Sequence, residues 1–116
     1  MVQQEKKVVK LLKDIGVPPH LSGYEFIKSA VLIALEHPSA VNRITKEIYP
    51  EVAKKHKTTA ARVERAIRHA TEVSVDNMPF DMYEEMFGNT INANKGKPTN
   101  SHFIATLVET IKLLGE

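Results

Sequence analysis

Cysteine and tryptophan are absent from this 116-residue chain, and its aromatic content is only 6%. The lack of cysteine excludes disulfides, iron–sulfur clusters, thiolate zinc sites and a cysteine nucleophile. No apolar run approaches the ~18 residues that a membrane span requires, and the amino terminus has no apolar signal-peptide core. We therefore expect a soluble, cytoplasmic protein whose residues 1–116 form a single domain.

Charge is distributed unevenly, although the net charge is only +2. Residues 39–75 contain eight Lys and Arg but four acids, whereas residues 76–87 contain four acids and no Lys or Arg. Such polarity can orient a polyanion on one side of the molecule. Charge alone leaves two interpretations open, a surface that attracts nucleic acid and an ordinary solvated face.

Apolar residues repeat at helical spacing in the first part of the chain. Gly16 and the prolines after it end an opening helix, and Ser22 has the spacing of a capping box at the start of a second helix. Pro38 stops that helix. Ser39 is expected to cap a third segment, in which Ile44 and Ile48 lie about one helical turn apart.

The second part of the chain has the same helical character. Pro50 fits the first turn of a new helix, and an apolar stripe predicts another helix from Ala60 to about Ser74. A short amphipathic piece follows Pro79 and includes Phe80. Asn100 or Ser101 is expected to cap a final helix, whose apolar stripe is typical of a core face but could in part serve a dimer contact. With no period-two alternation, these segments predict a compact all-α domain of six helices.

Residues 49–74 have the spacing of a helix-turn-helix. Such a motif needs a small residue in its first helix and an aliphatic residue about ten positions later, and Ala53 and Val63 satisfy this. Thr58 or Thr59 can cap the second helix and also donate to a phosphate. Lys57 stands near the turn position that glycine often takes, so we expect a longer or differently shaped turn.

The polar residues of the second helix share one face. They are Arg62, Arg65 and His69, with Ala61 and Arg68 beside them. Arginine matches guanine O6 and N7 in the major groove, and Glu64 can accept from a cytosine amino group. A solvated helix in which Glu64 pairs with Arg68 is the alternative. Arginines in a first turn oppose the helix dipole, however, and this favours a binding role.

The string TTAARVERAIRHA, with ITKEIYPEVAKKH before it and KPTNSHFIA after it, resembles the C-terminal effector domain of the master response regulator of sporulation in endospore-forming Firmicutes. The likeness runs from about Ile15 to the final helix. It implies a transcription regulator of sporulation that binds short operator boxes in double-stranded DNA, often as a head-to-tail pair, and contacts RNA polymerase sigma subunits. The phosphorylated receiver of that two-component family is absent here, which indicates an excised domain or a stand-alone relative.

The resemblance also implies residue roles. Arg62, Glu64 and Arg65 would face base edges, and Ala61 replaces a serine that is usual in the family. The lysine loop with Lys95 and Lys97 is similar to the family's DNA-backbone-contacting loop. Together with residue chemistry, this predicts phosphate contacts from the following residues: Lys54, Thr58, Thr59, Arg68, His69, Lys95 and Lys97. The acids near the expected sigma-factor surface are Asp76, Asp81, Glu84 and Glu85, which could equally serve solubility and steer DNA to the other side.

No catalytic, metal or cofactor motif is recognisable in the sequence. The five histidines have no His-x-x-x-His spacing, and we interpret them as surface residues, with His69 as a phosphate donor. Glycine-rich phosphate loops and nucleophile elbows are missing. We therefore expect a non-enzymatic, cofactor-free protein. The alternative function is a helical protein–protein adaptor whose basic face binds an acidic partner.

Overall fold

A computed structural model of the chain describes residues 3–88 and 97–115, and among these residues it contains helices and no strand. The predicted all-α architecture is confirmed, with six α-helices in the described part. They are α1 (Gln3–Asp14), α2 (Ser22–Glu36), α3 (Tyr49–Lys55), α4 (Ala60–Asn77), α5 (Phe80–Phe87) and α6 (Asn100–Leu114). None of these helices is both long enough and apolar enough to cross a membrane.

The chain between α2 and α3 is wound differently from the prediction. Pro38–Arg43 form a 3₁₀-helix and Ile44–Ile48 form a π-helical turn. Ser39 caps nothing, since it lies inside the 3₁₀-helix, which has no side-chain cap hydrogen bond. Ile44 and Ile48 are nevertheless buried. The apolar spacing therefore identified these two core residues correctly. The backbone buries them with a 3₁₀-helix followed by a π-helical turn instead of an α-helix.

Two predicted helix caps are also wrong. The N-cap position of α2 is occupied by Leu21 and makes no side-chain hydrogen bond, so Ser22 forms no capping box. The hydroxyl of Thr99 caps α6 by accepting from a backbone amide three residues later at 3.1 Å, in place of Asn100 or Ser101. Both helices begin earlier than predicted, because the expected cap residue already lies in the first turn.

The turn after α1 is fixed by the far end of α4. Gly16 ends α1 as predicted, with a left-handed φ of 79° that glycine adopts without steric cost. The Ser74 hydroxyl donates to the Ile15 carbonyl at 2.7 Å, and the Asn77 side-chain amide donates to the Gly16 carbonyl at 3.1 Å. These bonds satisfy the carbonyls of the two residues that follow α1, and they tie α4 to the start of the fold.

α2 lies at the centre of the core and contacts α1, α3, α4 and α6. α2 and α4 approach each other closely at Gly23. A Cβ atom at this position would lie 2.3 Å from the Ala66 carbonyl oxygen and 2.7 Å from the Ala70 Cβ. The missing side chain therefore lets the backbones of α2 and α4 pack directly on each other, with Ile27 and Ile67 fully buried in the core that they share.

The apolar stripe of α6 forms core, as its spacing predicts. Its buried members are Phe103, Ile104, Leu107, Val108 and Ile111. Leu114, at the end of the same stripe, is 59% exposed, and Phe80 at the start of α5 is 73% exposed, so neither belongs to the core. Phe87 anchors the end of α5 by stacking on Phe103, with ring centroids 5.9 Å apart.

The contact between α2 and α4 generates a stability prediction. Gly23→Ala places a methyl group against the Ala66 carbonyl, so the helices must move apart, and we expect a loss of about 1–3 kcal/mol in the free energy of unfolding. Gly115→Ala is the control, because a Cβ there meets nothing closer than 3.5 Å, and we expect a change within about 0.5 kcal/mol. Urea denaturation measures both variants. Equal stability of the two variants would contradict the close approach.

Candidate nucleic-acid interface

The turn between α3 and α4 is compact. Lys57 adopts a left-handed φ of 56°. Its amide donates to the Lys54 carbonyl at 3.4 Å, and the Thr58 amide donates to the Ala53 carbonyl at 2.9 Å. This pair of bonds is the Schellman motif, which glycine usually closes. The expectation of a longer or differently shaped turn is therefore wrong, because Lys57 takes the glycine conformation itself.

The second helix begins directly after this turn. The Thr59 hydroxyl caps α4 by accepting from the Arg62 amide at 3.2 Å. Of the two threonines that the sequence offered as caps, Thr59 therefore has this role, whereas Thr58 is half-buried and closes the turn through its amide. The hydroxyl proton of Thr59 is not used by the cap, since the oxygen is the acceptor.

The angle between α3 and α4 is filled as the helix-turn-helix spacing predicts. Val63 is fully buried, and Ala53 and Val52 are buried on the facing side of α3. A small residue at position 53 allows the close passage of the second helix, and an aliphatic residue at position 63 fills the space between the helices. The motif thus holds one side of α4 in the core and turns the opposite side outward.

The outward side of α4 contains the predicted base-reading residues. Ala61, Arg62 and Arg65 are exposed. Among residues 3–88 and 97–115, neither Arg62 nor Arg65 forms an ion pair. The first turn of α4 contains no acid to offset these charges. The start of the helix therefore presents two guanidinium groups directly to solvent.

Glu64 and Arg68 form an ion pair across one helical turn. The Glu64 side chain is 33% exposed and that of Arg68 is 54% exposed. The Glu64–Arg68 pair that the sequence allowed as an alternative is therefore present, and it coexists with the exposed Arg62 and Arg65. A carboxylate has about four acceptor positions, so the pair leaves Glu64 with further acceptor capacity.

The predicted phosphate-contacting residues around this face differ in whether they are exposed and whether they already have a partner. Lys54 on α3 and His69 on α4 are exposed. Lys97 precedes α6 and donates to the Asp76 carboxylate at 2.9 Å and to the Glu72 carbonyl at 3.4 Å. Lys95 lies outside the described residues. Lys97 thus reaches the surface of α4 from a distant part of the sequence, and it does so as one half of an ion pair.

Asn100 was predicted only as a helix cap, yet it connects three helices. Its buried side-chain amide donates to the Tyr49 hydroxyl at 2.9 Å and to the Glu64 carbonyl at 3.0 Å. Burial raises the pKa of the Tyr49 phenol above its ordinary value, and the hydrogen bond from Asn100 lowers it in part. The phenol therefore stays neutral at physiological pH, and the start of α6 is held against both helices of the motif.

Two histidines depart from the predicted surface location. His102, in the first turn of α6, is half-buried, with its ring 5.6 Å from that of Phe87. His56 at the end of α3 is half-buried, with its Nε2 2.8 Å from the Ser29 hydroxyl and its ring 5.1 Å from that of Phe26. These contacts fasten the motif to α2. Within the described residues, no group of three or more His, Cys, Asp or Glu side chains could hold a metal ion.

The predicted sigma-factor acids lie on two elements. Asp81, Glu84 and Glu85 are exposed on α5. Asp76 is exposed in the last turn of α4, where its carboxylate accepts from Lys97. Three of the four acids therefore belong to one short helix, and the fourth is tied to the start of α6.

The left-handed residue in the turn generates a second stability prediction. Lys57→Gly relieves a conformation that costs an L-residue about 1–2 kcal/mol, and it loses part of that gain to the greater freedom of the unfolded chain. We expect a net gain of about 0.5–1 kcal/mol in urea denaturation. Lys55→Gly, at the helical end of α3, is the matched control and should lose about 0.5–1 kcal/mol. Destabilisation by both changes would contradict a left-handed Lys57.

Comparison with known families agrees with this architecture. The family model described as the C-terminal part of the sporulation initiation factor Spo0A matches residues 8–111, from within α1 to within α6. The family is a DNA-binding effector domain of a response regulator of transcription. The match covers most of the 116 residues and all of the helix-turn-helix. The chain therefore belongs to the family of C-terminal DNA-binding domains of the sporulation initiation factor Spo0A.

Proposed function

We propose that α4 is the recognition helix of a sequence-specific regulator of sporulation genes and that it enters the major groove of an operator. The observation that carries this proposal is that Arg62 and Arg65, at the start of a helix that follows a tight turn, are exposed and form no ion pair within residues 3–88 and 97–115. In this motif the N-terminal residues of the second helix contact base edges.

The dimensions of α4 and of DNA are compatible. An α-helix with its side chains is about 10–12 Å across, and the major groove is about 12 Å wide. Arg62 and Arg65 are three residues apart, so their side chains leave the helix on the same face. Each can donate two hydrogen bonds to one guanine. Two base pairs in succession would then be read by one turn of helix.

Glu64 and Ala61 complete the proposed base contacts. The unused acceptor positions of Glu64 can receive a cytosine amino group, while Arg68 holds the carboxylate in place. The methyl group of Ala61 can contact a thymine methyl group where the family usually has a serine. Base preference would thus come from the two arginines, one acid and one methyl group.

Phosphate contacts would set the register of the helix without reading sequence. We assign them to the free proton of the Thr59 hydroxyl and to Lys54, Arg68 and His69, all on exposed positions of the motif. Thr58 is the weaker of the two threonines in this respect because it is half-buried. Lys95 and Lys97 extend the contacts to the loop before α6.

The cost of the charge arrangement supports a binding role. Helix N-termini favour acids, yet the first turn of α4 has none. Its first two turns contain two arginines that pair with no acid in the described part of the chain. This arrangement lowers the stability of α4, because cations are unfavourable near the N-terminal end of the helix dipole. The negative phosphates of bound DNA would offset this destabilisation. An adaptor that binds an acidic protein could use the same charges, but it would show no preference among DNA sequences.

We further propose that the acids Asp81, Glu84 and Glu85, with Asp76 at the end of α4, contact a basic surface of an RNA polymerase sigma subunit. The three on α5 are exposed and form a compact negative surface. The resemblance also supports a head-to-tail pair on adjacent operator boxes, which a titration would reveal as a second shifted band. Such a regulator acts where the chromosome lies, in the cytoplasm.

The recognition role of Arg65 is tested on a site selected from random duplex DNA. Arg65→Ala should weaken binding to that site by about 1–3 kcal/mol and relax the preference at one base pair, because a bidentate contact is lost. Lys10→Ala removes one exposed charge from α1 and serves as the control. Electrophoretic titration measures each protein on the selected and the scrambled duplex. Equal affinity of the unmodified protein for both duplexes would refute sequence-specific recognition.

The sigma contact is tested by neutralising α5. The triple variant Asp81→Asn, Glu84→Gln and Glu85→Gln should lose about tenfold in affinity for a purified sigma subunit, because three charges at the rim of an interface are removed. Its affinity for the selected DNA site should not fall. Glu36→Gln, at the exposed end of α2, is the control. Unchanged sigma binding by the triple variant would remove this surface from the proposal.

A further inference from the structure

Asp76 and Lys97 are 21 residues apart in sequence and form an ion pair between the last turn of α4 and the residues before α6. The Lys97 ammonium group lies 2.9 Å from the Asp76 carboxylate and 3.4 Å from the Glu72 carbonyl. The side chain of Lys97 is 39% exposed and that of Asp76 is 68% exposed. Both partners of the pair therefore remain accessible to a ligand from solvent.

A cleft of about 440 Å³ lies beside this pair, between α4 and the start of α6. Its lining contains two cations, Arg68 and Lys97, two acids, Glu64 and Glu72, and hydroxyls that include those of Thr45 and Ser101. Asn100 forms part of its wall and is held rigid by its bonds to Tyr49 and to α4. Cations and hydroxyls on a rigid wall are the donors that bind a phosphodiester oxygen.

Each cation of the cleft already has a carboxylate from α4. Glu64 holds Arg68, and Asp76 holds Lys97. The two pairs differ, because Glu64 reaches Arg68 within one helix, whereas Asp76 holds a lysine that precedes a different helix. The Lys97 ammonium has three donors, and the Glu72 carbonyl and the Asp76 carboxylate take two of them. A phosphate that approached Lys97 would therefore compete with the Asp76 carboxylate for the same positive charge, and displacement of Asp76 would open the contact between α4 and the residues before α6.

We propose that the cleft is a seat for a DNA backbone phosphate and that Asp76 is an internal competitor for it. In free protein the Asp76 carboxylate occupies the place of the phosphate on Lys97. DNA binding exchanges one anion for the other, so the contact is formed at the expense of an existing ion pair. Asp76 thereby lowers affinity for every DNA sequence equally. This proposal rests on the proposed DNA-binding function and adds a residue that opposes it.

The expected size of the effect follows from the exposure of the pair. Exposed ion pairs are weak, so Asp76→Asn should raise DNA affinity by about 1.4-fold to fivefold. The gain should be the same on a selected site and on a scrambled duplex, since phosphates carry no sequence information. Lys97→Ala should weaken binding to both and reduce the slope of log affinity against log salt by about 0.9.

A double-mutant cycle tests the competition. Affinities of the unmodified protein, Asp76→Asn, Lys97→Ala and the double variant are measured on both duplexes by fluorescence anisotropy. We expect Asp76→Asn to raise affinity in the presence of Lys97 and to have no more effect than a remote charge change in its absence. Asp14→Asn on α1, which breaks the exposed ion pair with Lys10, is the matched control for that remote effect. Thermal melting of each variant checks that the fold is retained.

The outcomes separate this proposal from the proposed function. Equal gains from Asp76→Asn with and without Lys97 would refute competition, and so would an unchanged salt slope in Lys97→Ala. Either result leaves sequence-specific binding by α4 intact. Failure of the unmodified protein to distinguish the selected site from the scrambled duplex would instead refute the proposed function itself.

Discussion

The close packing of α2 on α4 is the contact on which the rest of the structure depends. Gly23 allows the backbone of α4 to lie directly on α2, and this buries Val63, Ile67 and Ala70 along one side of the helix. The other side is then free of the core over its first turns. The same packing that stabilises the domain therefore determines which residues of α4 remain available to a ligand.

Hydrogen bonds to segments near both ends of the chain hold α4 in place. Ser74 and Asn77 bind the turn after α1, and Asn100 at the start of α6 binds the Glu64 carbonyl near its other end. A helix fixed at three points loses little conformational freedom when it binds, and a rigid scaffold is what a functional face requires. In the proposed complex, the elements that hold α4 would keep the helix in a fixed position on the DNA.

Sequence reasoning predicted the helices, the helix-turn-helix and the exposed face of α4, because burial on a 3.6-residue period leaves a direct pattern in the residues. It failed between Pro38 and Ile48, where the same apolar spacing is satisfied by 3₁₀ and π windings. It also missed the left-handed Lys57 and the Asp76–Lys97 pair. Such features depend on tertiary packing or on partners distant in sequence, which local patterns do not encode.

The central claim is that α4 lies in the major groove with guanidinium groups on guanine edges. Methylation of guanine N7 tests it most directly, because that atom faces the major groove and is the acceptor that arginine uses. We expect methylation of particular guanines in the selected site to abolish binding by the unmodified protein. Full binding to DNA methylated at every guanine N7 of the site would contradict the account.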